Sequence, residues 1–212
     1  MQTLRAILVL AAAAAGCFAQ QWEFGAGAGG SLPINVPVTA PGGSATAGFQ
    51  DGVAIGAYLG QNLYSHVSGE IHYGFMMSDL CVKSGGAEAT FSGQSHVLHY
   101  DVVLHTGGRT ARKQAFLSIG GGMRVFRGTG TEAQYQPLMQ YAYLTKTQEL
   151  KPMGTVGVGV KAAISAKLLF RAEIRDYITP FPTQVVTPAV NATFGRNILH
   201  DFVPMVSLIF GL

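Results

Sequence analysis

His66-Val67-Ser68-Gly69-Glu70-Ile71-His72-Tyr73-Gly74-Phe75-Met76-Met77 alternates at a period of two. Val67, Gly69, Ile71, Tyr73, Phe75 and Met77 fall on one side of an extended chain. His66, Ser68, Glu70, His72, Gly74 and Met76 fall on the other. The first side is apolar and the second polar or small, as in a strand with two unlike faces. The same alternation recurs at 22–30, 53–60, 97–105, 114–126, 155–164, 168–175 and 202–212. That makes eight strands of roughly ten residues, enough for a tilted strand to cross a bilayer.

The connections alternate in length. Segments 31–52, 78–95, 128–154 and 178–201 are long, 61–65 and 165–167 are tight, and 106–113 is moderate. An even strand number with long loops at one end predicts an eight-stranded antiparallel transmembrane β-barrel. Four long extracellular loops and short periplasmic turns follow. A soluble ligand-carrying barrel is the competing all-β architecture, and it would place the apolar face inside. Here the charges share a face with the glycines, which suits a crowded narrow lumen. The Val, Leu, Ile, Ala and Phe face then meets lipid, with Trp22, Phe24, Phe170 and Phe210 near the short-turn rim.

Composition excludes several classes. The chain has 212 residues with 28 Gly, 12% charged residues and 48% hydrophobic ones, too apolar for disorder and too charge-poor for a coiled coil. The net charge of +3, without a clustered basic face, speaks against nucleic acid as a partner. Residues 1–19 have the anatomy of a signal peptide: Arg5, an apolar run over 6–16, and Cys17-Phe18-Ala19 before a cut. The expected mature domain is 20–212. Cleavage removes Cys17 and leaves Cys81, expected in a loop, as the single cysteine, so no internal disulfide is expected.

Ala115-Phe116-Leu117 followed by Gly120-Gly121-Gly122 resembles a segment of small outer-membrane barrels of the OmpA-like superfamily. So do Gly157-Val158-Gly159-Val160-Lys161 and Arg171-Ala172-Glu173-Ile174-Arg175-Asp176-Tyr177. The closing stretch 202–212 is similar to the strand read by the barrel assembly machinery, through Val206, Leu208, Phe210 and Leu212. Members usually end on an aromatic residue, whereas this chain ends on Leu212. The resemblance covers the whole mature chain. It implies a bacterial outer-membrane location, outer-membrane lipid and the assembly machinery as partners, and no peptidoglycan-binding module.

The inward charges are Glu23, Glu70, Asp101 and Glu173 against Arg124, Lys161, Arg171 and Arg175, with His72 and His99 beside them. Because unpaired buried charges are costly, near-balance predicts a paired network filling the lumen. A gated narrow pore, with pairs such as Glu70 and Arg124 rearranging, is the alternative. A lipid-modifying enzyme would need a nucleophile and base together on the outer rim. Spacing places no such set among His66, His72, His96, His99, His105 and His200.

No metal or cofactor is expected. His96 and His99 fall on opposite faces, and two residues such as His99 and Asp101 do not make a metal site. Gly25, Gly27 and Gly30 match a dinucleotide-binding spacing, but Leu32-Pro33 follows where a helix is required. Tyr135, Tyr141 and Tyr143 in the third long loop make a candidate surface for an extracellular ligand or an outer-interface anchor. The reading that results is a structural or surface-interaction protein, not an enzyme.

Overall fold

The computed structural model describes residues 22–108 and 111–211. The expected signal peptide, including Cys17, and Leu212 of the closing strand lie outside the described residues. Eight long strands form the wall: β1 (Trp22–Pro33), β4 (Gly52–Asn62), β5 (Val67–Met77), β8 (Gly93–His105), β9 (Lys113–Gly128), β11 (Gln148–Ala163), β12 (Leu168–Pro180) and β15 (Ile198–Gly211). All neighbours are antiparallel, and β1 pairs with both β4 and β15, so the sheet closes in the order β1-β15-β12-β11-β9-β8-β5-β4. The expected architecture is the one observed.

Burial separates the faces residue by residue. Val102 is 40% exposed and Val103 0%; Leu98 is 58% exposed and Val97 1%. Residues of nearly identical hydrophobicity are thus sorted by parity alone, as a pleated wall with an inside and an outside requires. Outward positions carry Ile55, Ile71, Tyr73, Leu117, Ile119, Val156, Val158, Val206 and Leu208, all exposed. On β9 this apolar stretch runs from Ala115 to Val125, bracketed by exposed Lys113 and Arg127. Ten steps of ~3.3 Å, tilted ~40°, give a band about 25 Å tall, the height of a lipid-facing belt. An outside of this kind would aggregate in water. Phe24 pairs with Phe210 and Phe170 with Leu208, which groups these aromatics at the short-turn rim.

The inside is crowded. A Cβ on Gly122 of β9 would lie 2.1 Å from the Leu98 carbonyl oxygen and 2.5 Å from the His99 Cα on β8. Both obstacles are backbone, which no rotamer change moves. Gly122→Ala is therefore expected to destabilise the barrel by about 1–3 kcal/mol. A lowered urea midpoint of the refolded protein in lipid vesicles is the check.

Strands extend beyond the sequence boundaries at the long-loop end. The alternation predicts β11 from Thr155, yet its ladder with β9 begins at Gln148; β8 begins at Gly93 and β15 at Ile198. The long connections contain β structure of their own, not just loop. β2 (Val36–Ala40), β3 (Gly43–Phe49), β6 (Leu80–Ser84), β7 (Ala87–Phe91) and β14 (Thr193–Phe194) form a five-stranded sheet. β10 (Ala142–Leu144) pairs with β13 (Val186–Pro188). Val36, Val38, Ala47, Phe49, Leu80, Val82, Phe91, Tyr141, Leu144, Phe181 and Val186 bury a common core, joined by Phe126 and Leu199 from the wall. This cap packs onto the long-loop end of the wall.

Cys81 lies on β6 and not in a loop. It is buried, with the Asn35 Nδ2 group 3.5 Å from its Sγ. Burial pushes its thiol up to about 11, so thiolate is scarce and the residue unreactive.

Candidate functional site

Three inward positions in sequence on β12, Arg171, Glu173 and Arg175, carry the lumen. Alternation places them on one face, and β12 stands diametrically across the eight-strand ring from β5, which carries Glu70 and His72. Small residues opposite make room for long side chains to meet at the axis: Gly157 faces Arg175 and Gly159 faces Glu173 on β11. Arg171 spans the lumen. Its Nη1 donates to both Glu70 oxygens, at 3.0 and 2.8 Å, and its Nη2 donates to Glu173 Oε2 at 2.8 Å. The guanidinium lies between two rings, 4.7 Å from the centroid of Tyr58 and 4.3 Å from that of Phe116. Cation–π attraction adds to the pairing in that desolvated position.

The rest of the layer is built around these groups. Lys161 Nζ donates to Glu23 Oε2 at 2.9 Å and to Glu70 Oε1 at 3.2 Å. Arg175 pairs with Asp101 and also donates to Glu173 Oε2 at 3.1 Å. The β5–β8 register sets His72 opposite His99 and Glu70 opposite Asp101. The two imidazoles stack with centroids 4.8 Å apart and planes 4° from parallel. His72 Nε2 meets Glu70 Oε2 at 2.9 Å, and His99 Nδ1 meets Asp101 Oδ1 at 2.9 Å. Thr155 Oγ1 donates to Asp101 Oδ1 at 2.7 Å. Each lumenal carboxylate of the layer is thereby held by at least one cation, which offsets the cost of burying it.

Above this layer sit Ala54, Met76, Val97, Met153, Tyr177 and Val203, with Met205 packed against them. They form an apolar septum. A second ion pair lies beyond it: Arg124 Nη2 meets Asp201 Oδ2 at 2.7 Å, and Arg124 Nε and Nη2 donate to Ser95 Oγ at 3.1 and 3.0 Å. Ser31 Oγ lies 2.9 Å from both Asp201 oxygens. The structure thus brings nine of the ten sequence-selected residues into one layer: Glu23, Glu70, His72, His99, Asp101, Lys161, Arg171, Glu173 and Arg175. Arg124 belongs to the other, so the pairing of Glu70 with Arg124 is replaced by Glu70–Arg171 and Arg124–Asp201.

Asp201 and Ser31 were missed because the sequence reading started the last strand at Phe202 and ended the first at Gly30. The signal was present in the parity of Leu199, Asp201 and Val203, which continues that of Ser207 and Ile209. A small pocket of about 20 Å³ lies beside Tyr58, His72, Glu173 and Arg175. That is room for about one water molecule.

On the outside, Val206, Leu208 and Phe210 line up toward lipid. Tyr135 is exposed, but Tyr141 is buried in the cap core and so is no free contact surface. Ser68 Oγ meets His105 Nε2 at 2.8 Å, yet His105 Nδ1 has no partner, so no acid orients that ring. His200 Nδ1 meets Asp176 Oδ2 at 2.8 Å, a base with its acid but no hydroxyl nucleophile on the ring among the described residues. No group of three metal-ligating side chains occurs among the described residues.

No family model matches the chain, and no curated protein matches it. Solved structures do. Neisserial surface protein A superposes with a TM-score of 0.51 at 10% identity, covering 90% of this chain and 97% of that one. The outer membrane protein OprG from Pseudomonas aeruginosa superposes with a TM-score of 0.51 at 12% identity, covering 90% and 96%. At such identities the likeness is one of fold: this chain has the architecture of the small eight-stranded outer-membrane β-barrels.

Proposed function

We propose that the protein is a non-conducting barrel of the bacterial outer membrane that holds an ordered β-sheet at the cell surface. The observation that carries this reading is the cap. Its core is continuous with the wall through Phe126 and Leu199, so the barrel serves as a rigid base for a structured extracellular surface. The sheet turns Pro37, Thr39, Ser44, Thr46, Lys83, Glu88 and Thr90 to solvent, a face open to an extracellular partner. Export would follow cleavage near Ala19, and the assembly machinery would read Val206, Leu208, Phe210 and Leu212. The protein's role is structural or interactive, without catalysis.

The closed lumen supports the same reading. Two ion-paired layers, an apolar septum and the cap stand in series. A narrow gated pore would require all of them to part together. Purified protein in planar bilayers is expected to show no sustained current steps in salt. Reproducible unitary openings of the unaltered protein would replace this reading with the pore.

A further inference from the structure

The two ends of the barrel differ in charge. The long-loop end mixes both signs, as where Lys83 Nζ lies 3.1 Å from Glu88 Oε1 in the cap. The short-turn end does not. Segments 61–66, 106–113 and 164–167 contain no Asp or Glu. Glu23, one residue inside the start of β1, is taken by Lys161 at 2.9 Å. What the short turns do carry is a group of cations. Arg112, Lys113 and Lys167 are exposed, and none of them has an ion pair or a side-chain hydrogen bond among the described residues.

Backbone pairing gathers them on one arc of the rim. The Arg112 carbonyl accepts from the Ala163 N–H at 2.8 Å, and Lys113 stands opposite Ala162, where β9 meets the end of β11. The turn into β12 then closes tightly: the Ile164 and Ser165 N–H groups both donate to the Leu168 carbonyl, at 2.9 and 3.0 Å. Lys167 immediately precedes Leu168, and its carbonyl accepts from the Gly211 N–H at 3.0 Å. Because β9 and β12 stand two places apart in the ring, their short-turn ends are two strand spacings, about 10 Å, from each other.

The cations stand at the level where the lipid-facing residues begin. Lys113 has the outward parity of Ala115 and Leu117, and lies one alternation step, about 7 Å, from Ala115. Ile164 is 59% exposed, and Phe170 and Phe210 are exposed on the neighbouring strands. Long basic side chains at such a boundary cover apolar surface with their stems and hold their charged heads at headgroup depth. Clustered there without acids, they are complementary to a negatively charged leaflet.

We propose that the β9–β11–β12 arc of the short-turn rim is a docking surface for anionic phospholipid of the periplasmic leaflet. The phosphates lie among Arg112, Lys113 and Lys167, and the acyl chains against Ala115, Leu117 and Phe170. Across the ring, the β4–β5 turn exposes uncharged Leu63 and Tyr64 instead, so anionic lipid gathers on one side of the barrel. The inference rests on the membrane placement proposed above.

The test uses the full mature chain in nanodiscs of phosphatidylcholine containing a minor fraction of phosphatidylglycerol, which adds negative headgroup charge. Lipid retained by the protein is read by native mass spectrometry. The surface predicts phosphatidylglycerol held in preference to phosphatidylcholine. Arg112→Gln, Lys113→Gln and Lys167→Gln should each cut that preference about fivefold, and the triple variant should abolish it. Lys83→Gln, which removes the same charge at the other end of the barrel, should leave it unchanged. Neither inorganic phosphate nor soluble peptidoglycan fragments should displace the lipid.

Equal retention of both lipids, an equal loss in Lys83→Gln, or full preference in the triple variant overturns the inference. Displacement by inorganic phosphate overturns it in favour of a simple anion site, and displacement by peptidoglycan fragments in favour of a cell-wall contact. A heat-dependent gel shift in each variant shows that it is folded. A protein that fails to enter nanodiscs overturns the membrane reading itself, whereas one that enters without lipid preference overturns only this surface.

Discussion

Arg171→Ala is expected to destabilise the folded barrel by about 3–5 kcal/mol, the cost of stripping one partner from a buried ion pair. Arg171 is fully buried and supplies three hydrogen bonds to Glu70 and Glu173. Glu173 retains Arg175, and Glu70 retains Lys161 and His72, which moderates the loss. Against that, the Tyr58 and Phe116 rings lose the group between them, and the space left is a cavity. The measurement is the urea midpoint in lipid vesicles, read by the heat-dependent gel shift. Glu70→Gln combined with Arg171→Met removes charge from both sides and keeps volume, so it should recover much of the loss. A single Arg171→Ala variant as stable as the parent would show that the lumen network is ornamental.

Val156→Arg tests the opposite face. Val156 is 41% exposed on β11, outward and paired with Ile119 near mid-belt, and it makes no lumenal contact. In water an exposed valine replaced by arginine costs little. At a bilayer midplane a lipid-facing arginine costs about 2–4 kcal/mol. The variant is expected to fold into thick bilayers with a stability lower by that amount. Val160→Arg, nearer the short-turn end of β11, should cost less. Unchanged stability of Val156→Arg would place this face in water.

Much of the wall is legible in the sequence because parity is a local property. Val67 to Met77 shows it without any tertiary information, and seven further segments repeat it. Faces are legible for the same reason: Gly120, Gly122, Gly157 and Gly159 share parity with Arg124, Lys161, Arg171 and Glu173. Partners are not legible. Which acid meets which base depends on how strands are placed around the ring, and Arg124 meets Asp201 only because β9 and β15 stand three places apart. The cap also escaped, since its strands are short and carry Gly and Pro, as at Pro37, Gly43 and Gly48. Its apolar residues bury one another only after four separate connections come together.

The central claim is that the apolar face of each wall strand touches lipid while the charged face closes the lumen. Val102 and Val103 are adjacent, alike and on opposite faces, as are Leu98 and Val97. In methyl-labelled protein reconstituted in lipid nanodiscs, nuclear Overhauser effects from acyl-chain protons report direct contact with lipid. The account predicts strong transfer to the Val102 and Leu98 methyls and none to those of Val103 and Val97. Transfer to Val103 and Val97 instead, or water contact at Val102 and Leu98, would contradict it.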